Sequence, residues 1–454
     1  MREADQNTGQ IPAARPESDV SAGVGFAGLL GLALWLLFCR NYAGFAEALS
    51  IPGPREPLSG PYAALAALLF TSGPMVAWSL FVDKVHLRAS TGIDWSNPRT
   101  IADIRHISMV KLIGLWATWA IIAGLYCLAR WYWDGRYLFA MEVLGAAIVP
   151  LVILSVPYVL WLDRVMVNPR DHSWHFGAML LGREAYDPDE VKKHWRSWII
   201  KGFFIAFMIS ILPGGFAYVV NVNYAQIQGD PVRFAWFFIE LLFLIDVQIG
   251  TVGYLVTMRP LDAHIRSGNP YLAGWLAALL CYPPFAVGFM TGGILMYEVD
   301  TPGWANAFAG NPMALSLWGA WLIVLTGLYA WATIAFGLRF SNLTYRGVIT
   351  NGPYKWTRHP AYVSKNLFWW CATLPFIVST GNPVDMIRNT FFLGCVSAIY
   401  YWRAKTEEAH LLGEDAKYRE YHAWMAEHGL LTAPLTRLKR RLRPRGPVIE
   451  APAE

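Results

Sequence analysis

The chain has 454 residues, 55% of them hydrophobic and only 15% charged, with a mean hydropathy of +0.33. That balance excludes an ordinary soluble domain and predicts a polytopic membrane protein. The formal net charge of +5 is what cationic loops beside anionic headgroups produce, so membrane lipids are expected as partners and nucleic acid is not.

Residues 1–22 carry four acids against Arg2 and Arg15 and read as a disordered lead without a cleavable secretory signal. Ten apolar spans follow, at 23–39, 61–82, 109–130, 138–162, 198–221, 234–257, 270–297, 312–337, 362–380 and 384–402. The predicted fold class is all-α, a polytopic integral membrane protein of ten transmembrane helices. Several spans are interrupted, by Gly73-Pro74, Pro150 and Pro157, Pro213-Gly214-Gly215, Pro283-Pro284 and Gly292-Gly293. Broken membrane helices leave backbone groups to be met by neighbours or by a water-lined cavity. Such breaks are also the ordinary kinks of membrane helices, where proline and glycine are common.

With both termini on one side, the loops of that side hold 30 Lys and Arg and those of the other side six. The positive-inside rule then predicts cytoplasmic N- and C-termini in a bacterial cytoplasmic membrane. Cys39, Cys127, Cys281, Cys371 and Cys395 lie in or at the ends of spans without paired spacing, so no disulfide framework or thiolate metal site is expected. Asp171, His172 and His175, with His194 further on, hold ligand-type atoms, but nothing in the sequence brings them together and no metal is assigned. Glu142, Glu240 and Asp246 fall inside spans, and Asp246 sits thirteen residues into the sixth. An ionisable group there is a functional candidate, or else a hydrogen-bonded packing residue beside Gln248.

Chemistry-bearing residues concentrate near the C-terminal end. Asn351-Gly352-Pro353-Tyr354 is a turn signal, and Tyr354 to Tyr362 reads Tyr-Lys-Trp-Thr-Arg-His-Pro-Ala-Tyr. Pro360 suits the first position of a helix with His359 at its cap, and the free N–H groups of that turn favour an anionic group such as a cofactor carboxylate. Further on, Arg403 and Glu407 are four apart on one helical face with Glu408 beside them, where the tenth span leaves the membrane. Leu411, Leu412, Tyr418, Tyr421, Trp424 and Met425 then form an amphipathic stripe able to cover a site.

This pattern, Gly-x-Tyr, Arg-His-Pro-x-Tyr, Arg-x3-Glu-Glu-x2-Leu and Tyr-x2-Tyr, resembles the isoprenylcysteine carboxyl methyltransferase and phospholipid methyltransferase superfamily. The resemblance covers 312–430, about a quarter of the chain. It leaves 1–22 as the lead, 23–300 as a seven-span region of no recognised family, and 431–454 as a basic disordered tail on anionic headgroups. It implies an integral-membrane enzyme that binds S-adenosylmethionine without a soluble Rossmann fold and methylates a hydrophobic or lipid-like small molecule. It further implies cofactor binding by Gly352, Tyr354, His359, Pro360, Tyr362, Glu407, Glu408 and Tyr418, and catalytic roles for Arg358 and Glu408. The physics agrees, since carboxylates and aromatic faces suit a sulfonium and an ammonium, and the planar Arg358 fork suits an anionic acceptor. The chain departs from the prenyl-cysteine enzymes after Tyr421, where His422-Ala423-Trp424-Met425 replaces a Val-Pro step. That departure puts the acceptor in doubt more than the cofactor. Two other readings compete: an NADPH-dependent reductase of the sterol-reductase type, and a non-catalytic lipid transporter or binding protein.

Overall fold

Helix starts in this chain are set by local chemistry. Thr100 and Asp103 form a reciprocal capping box, and side-chain oxygens of Asp171, Asp187, Asp230, Asn311, Asn382 and Asp415 accept from first-turn N–H groups. Six helices carry proline in the first turn, where the missing N–H is no loss.

The structure, a computed structural model, describes residues 14–442. In chain order the helices are α1 (Ala22–Arg40), α2 (Tyr42–Ala48), α3 (Pro61–Ala77), α4 (Ile101–Leu128), α5 (Tyr137–Val165) and α6 (His172–Leu181). There follow α7 (Pro188–Asn221), α8 (Tyr224–Ile227), α9 (Pro231–Leu255), α10 (Leu272–Leu279) and α11 (Gly303–Ala307). The last are α12 (Pro312–Phe336), α13 (Pro360–Thr373), α14 (Pro383–Glu414), α15 (Ala416–His428) and α16 (Thr432–Leu442). Among the described residues, sheet structure is confined to a two-residue antiparallel ladder, Ser267–Gly268 against Thr344–Tyr345.

Seven helical segments are long and apolar enough to cross a membrane: Ala22–Arg40, Pro61–Val82, Ile101–Leu128, Tyr137–Val165, Pro188–Asn221, Pro231–Leu255 and Pro312–Arg339. Their outer faces expose Leu34, Leu69, Leu128, Ile153 and Leu317, the surface that lipid covers. The protein is thus an all-α integral membrane protein. Inside, α9 packs most extensively on α12, and α1 on α3. Helices α4 and α6 approach through Gly114 and Gly177, where an added Cβ would run into the carbonyls of Ser173 and Val110.

Three expected spans come out differently. Segment 270–297 is no continuous helix: α10 ends at Leu279, and only a short helical turn, Val287–Thr291, follows Pro283-Pro284. The proline pair removes two donors and crowds the preceding turn. Segment 362–380 holds α13, whose 14 residues reach roughly 21 Å, short of the hydrocarbon thickness. Segment 384–402 opens α14, which continues to Glu414 because Ala404–Glu414 is rich in helix formers.

Both terminal expectations also need correction. Residues 14–21 are not a free lead, because Asp19 exchanges hydrogen bonds with Val348 (N–H to Val348 O at 2.9 Å, Oδ2 from Val348 N at 2.7 Å). The Asp19 carboxylate also pairs with Lys417 at 2.6 Å. Thr432–Leu442 is helical where a disordered tail is expected, with exposed Leu431, Leu435 and Leu438 at helical spacing. Residues 1–13 and 443–454 lie outside the described residues.

Candidate functional site

Helix α12 ends at Gly337, in the left-handed region at φ 51°. The chain then runs as a loop to Pro360 under two buried arginines. Arg346 donates to the carbonyls of Gly253, Leu338, Phe340 and Ala263, each at 2.8 Å, so one guanidinium satisfies the loose ends of α9 and of the loop. Arg339 pairs with Asp262 at 2.5 Å and donates to Arg346 O at 3.0 Å. These bonds fix the loop as the roof of a cavity enclosing about 1200 Å³ of empty space, its mouth included.

The two sequence motifs meet at this cavity. The Tyr362 hydroxyl donates to Glu407 Oε1 at 2.5 Å, and Arg403 Nε donates to the same oxygen at 3.2 Å. Arg403 also donates to Asn342 Oδ1 at 2.5 Å and lies over the Tyr362 ring at 5.0 Å. The His359 and Tyr362 rings stack at 5.6 Å with 6° between planes. Glu408 receives Arg358 Nε at 2.9 Å, His359 Nε2 at 3.0 Å and Lys405 Nζ at 2.5 Å. Burial alone would raise the Glu408 carboxyl, but the His359 hydrogen bond and the Arg358 charge outweigh it and hold the group well below the usual carboxylate range. Helix α15 closes one side through Tyr418 and Tyr421, and the Tyr421 hydroxyl donates to Tyr354 O at 2.8 Å.

Of the residues singled out in the sequence, Tyr354, Arg358, His359, Tyr362, Glu407 and Tyr418 line the cavity. Gly352, Pro360 and Glu408 do not. Gly352 sits at φ 54° with Trp331 and Ala335 against it, so its part is to turn the backbone. Pro360 opens α13. Glu408 lies behind the wall, where it holds Arg358 and His359 in place.

Sequence reasoning missed Lys365, Asn342, Tyr282 and Tyr400, all of which line the cavity. Lys365 sits 5.2–5.8 Å from the ring centres of Tyr329, Trp369 and Tyr400. Its signal was available: a lysine one turn beyond Tyr362 inside an apolar stretch is itself a candidate. Asp246 is buried in the seam of α9 and α12, where it accepts from the Thr333 hydroxyl, and Thr333 lines the cavity. Glu142 is exposed and Glu240 half-buried. His172 and His194 meet with their Nδ1 atoms 3.1 Å apart, while His175 Nδ1 instead accepts from Asp187 N–H at 3.1 Å. Among the described residues no three potential ligands gather as a metal would require.

Fold and site together define a membrane-embedded helical protein with a polar, aromatic-walled cavity. No family model, curated protein or solved structure matches the chain.

Proposed function

We propose that the protein is an integral-membrane methyltransferase that uses S-adenosylmethionine on a hydrophobic or lipid-like acceptor. The observation that carries this reading is the meeting of Arg358-His359-Pro360-Ala361-Tyr362 with Glu407-Glu408 at one cavity. The donor set suits a cationic cofactor: the Glu407 carboxylate, 22% exposed, stands beside the faces of Tyr362, His359 and Tyr418. When bound, S-adenosylmethionine supplies an electrophilic methyl group. Glu407, Tyr362, His359 and Tyr418 would hold it, and Glu408 would keep Arg358 and His359 from turning away. The apolar helices α12 and α13 around the cavity suit an acceptor arriving from lipid, and methyl transfer asks chiefly for positioning and exclusion of water.

The rival NADPH reading draws on five cations along the same cavity, Arg339, Arg346, Arg358, Lys365 and Arg403. Four of them are engaged by protein carboxylates or carbonyls, which leaves little for a 2′-phosphate. Titration of the purified protein in detergent with S-adenosylhomocysteine and with NADPH separates the two. Tight NADPH binding with no response to S-adenosylhomocysteine would overturn the methyltransferase reading.

The reading also needs the 338–361 loop to face the cytoplasm. The charge asymmetry supports cytoplasmic termini, and ten membrane passages remain compatible with it if the broken segment 270–297 and the α13–α14 hairpin enter the bilayer. Cysteine labelling at Arg55, Asn223 and Pro302 should report the outside, and labelling of 338–361 from outside would defeat the assignment.

A further inference from the structure

A second chamber, of about 770 Å³ of empty space, lies between α4, α5, α6, α7 and the segment after α9. Three cations line it, Lys111, Lys201 and Arg259, against two acids, Asp163 and Asp171. Both acids are already engaged. Lys111 contacts Asp163 and lies 3.1 Å from Asp171. Asp163 also accepts from Ser108 Oγ at 2.7 Å, and Asp171 from the N–H groups of Ser173 and Trp174 at 3.1 and 3.2 Å.

The other two cations make no ion pair, although the Arg259 charge acts on Asp171 across the chamber. Lys201 rests over the Trp198 ring at 4.5 Å and has no hydrogen-bond or ion-pair partner among the described residues. Arg259 touches only the Thr91 carbonyl at 3.3 Å and His264 Nε2 at 3.4 Å, both through Nη1. Arginine only donates, so His264 Nε2 is the acceptor and its proton sits on Nδ1. That Nδ1 is buried with no partner. Burial, then the charges of Arg259, Arg266, Arg346 and Arg339, hold the His264 imidazole far below its ordinary range. His172, on the opposite wall, is lowered to about 4 by burial; the adjacent Asp171 charge works against this, and Lys201 and Arg259 add to the lowering. Around His264 the field is positive, and Lys201, Arg259 and His264 Nδ1 keep unused donors.

We infer that this chamber is a second binding site, for a phosphate group. A phosphate group offers several oxygens to an amine and a guanidinium fork at once. Leu115, Val159, Leu162 and Ile265 line the same chamber and suit the acyl or apolar part of a phospholipid. A free phosphate compound shares the recognising chemistry. The inference does not rest on the methyltransferase reading. Its consequence reaches the first cavity all the same: Asp262 and Ala263, bonded to Arg339 and Arg346, belong to the segment that carries Arg259 and His264.

The test uses delipidated full-length protein. Inorganic phosphate is titrated by calorimetry, and phosphatidylcholine nanodiscs with and without phosphatidic acid are compared by native mass spectrometry for retained lipid. Lys201→Gln should weaken phosphate-group binding about ten-fold or more, Lys201→Arg should restore most of it, and Lys193→Gln, paired with exposed-side Glu190, should leave it unchanged. Selective phosphatidic acid retention that Lys201→Gln abolishes identifies a lipid headgroup, and saturable inorganic phosphate binding that it abolishes identifies a free phosphate compound. If neither probe binds, or both bind Lys201→Gln as they bind the unaltered protein, the inference is overturned. Should Lys201→Gln fail to fold, Arg259→Lys, which keeps the charge but loses the fork, takes its place and must weaken binding.

Discussion

Exchanging each member of the glutamate pair separately should produce different phenotypes, because only Glu407 faces the cavity while Glu408 lies behind its wall. Glu408 is 5% exposed and holds Arg358, His359 and Lys405 within 3.0 Å. Glu408→Gln removes the buried charge and turns an amide donor toward donors, leaving half-buried Arg358 and exposed Lys405 without their carboxylate. Breaking a buried pair of this kind costs roughly 3–5 kcal/mol. Glu407 faces the cavity and keeps Tyr362 as a donor even when its carboxylate becomes an amide. Glu407→Gln also takes the counter-charge from buried Arg403, which keeps only Asn342 as a side-chain acceptor, so it should cost roughly 1.5–3 kcal/mol of stability; in addition a cationic ligand loses a charge-assisted contact, roughly ten- to a hundred-fold in affinity. The assay pairs thermal unfolding in detergent with S-adenosylhomocysteine titration, with exposed Glu420→Gln as control. A Glu408→Gln protein that melts normally but binds no ligand would refute the division of labour, since Glu408 would then touch the ligand itself.

Burial holds His172, His410 and His422 down to about 4, so unfolding takes up protons that the fold refuses. Stability should be full above the ordinary histidine value near 6.5 and fall as the pH drops toward 4, by up to about 4 kcal/mol per pH unit if all three contribute; a melting temperature flat from neutrality to pH 5 would refute this. Asp246→Asn keeps a partner for the Thr333 hydroxyl and should retain S-adenosylhomocysteine affinity within about three-fold while altering acceptor affinity or stability, and loss of cofactor binding in a well-folded variant would move Asp246 into the cofactor site. Gly177→Ala drives a methyl group into the Val110 carbonyl and must part α4 from α6, at a cost of about 1–3 kcal/mol in thermal unfolding; an unchanged melting temperature would show that this seam is not closely packed.

What could be read from the sequence, and what could not, divides along physical lines. Long apolar runs were legible because lipid demands them, so the spans of α1, α3, α5, α9 and α12 stand close to where hydropathy puts them, while α7 starts ten residues earlier, at Pro188. Hydropathy alone carried a span across Pro283-Pro284 and stopped one at 402; the proline pair marked the break and the Arg403–Glu407 spacing the helix beyond, since helix formation outside the lipid needs no apolar residues. At the site, Arg358, His359, Tyr362 and Glu407 stood out as polar groups massed beside apolar stretches. Tyr282 and Asn342 did not, because they reach the cavity from a broken helix and a loop whose path depends on Arg346. Glu408 was visible, but its role as a clamp depends on three side chains meeting in space.

The contact of Asp19 with Val348 and Lys417 sets a constraint on biogenesis. Asp19 precedes each of the seven membrane-crossing helices in the sequence, and Lys417 follows all of them. The bonds that brace Val348 of the cavity wall therefore join segments from either side of the whole membrane-crossing set. That bracing is complete only when two segments find each other across 398 residues.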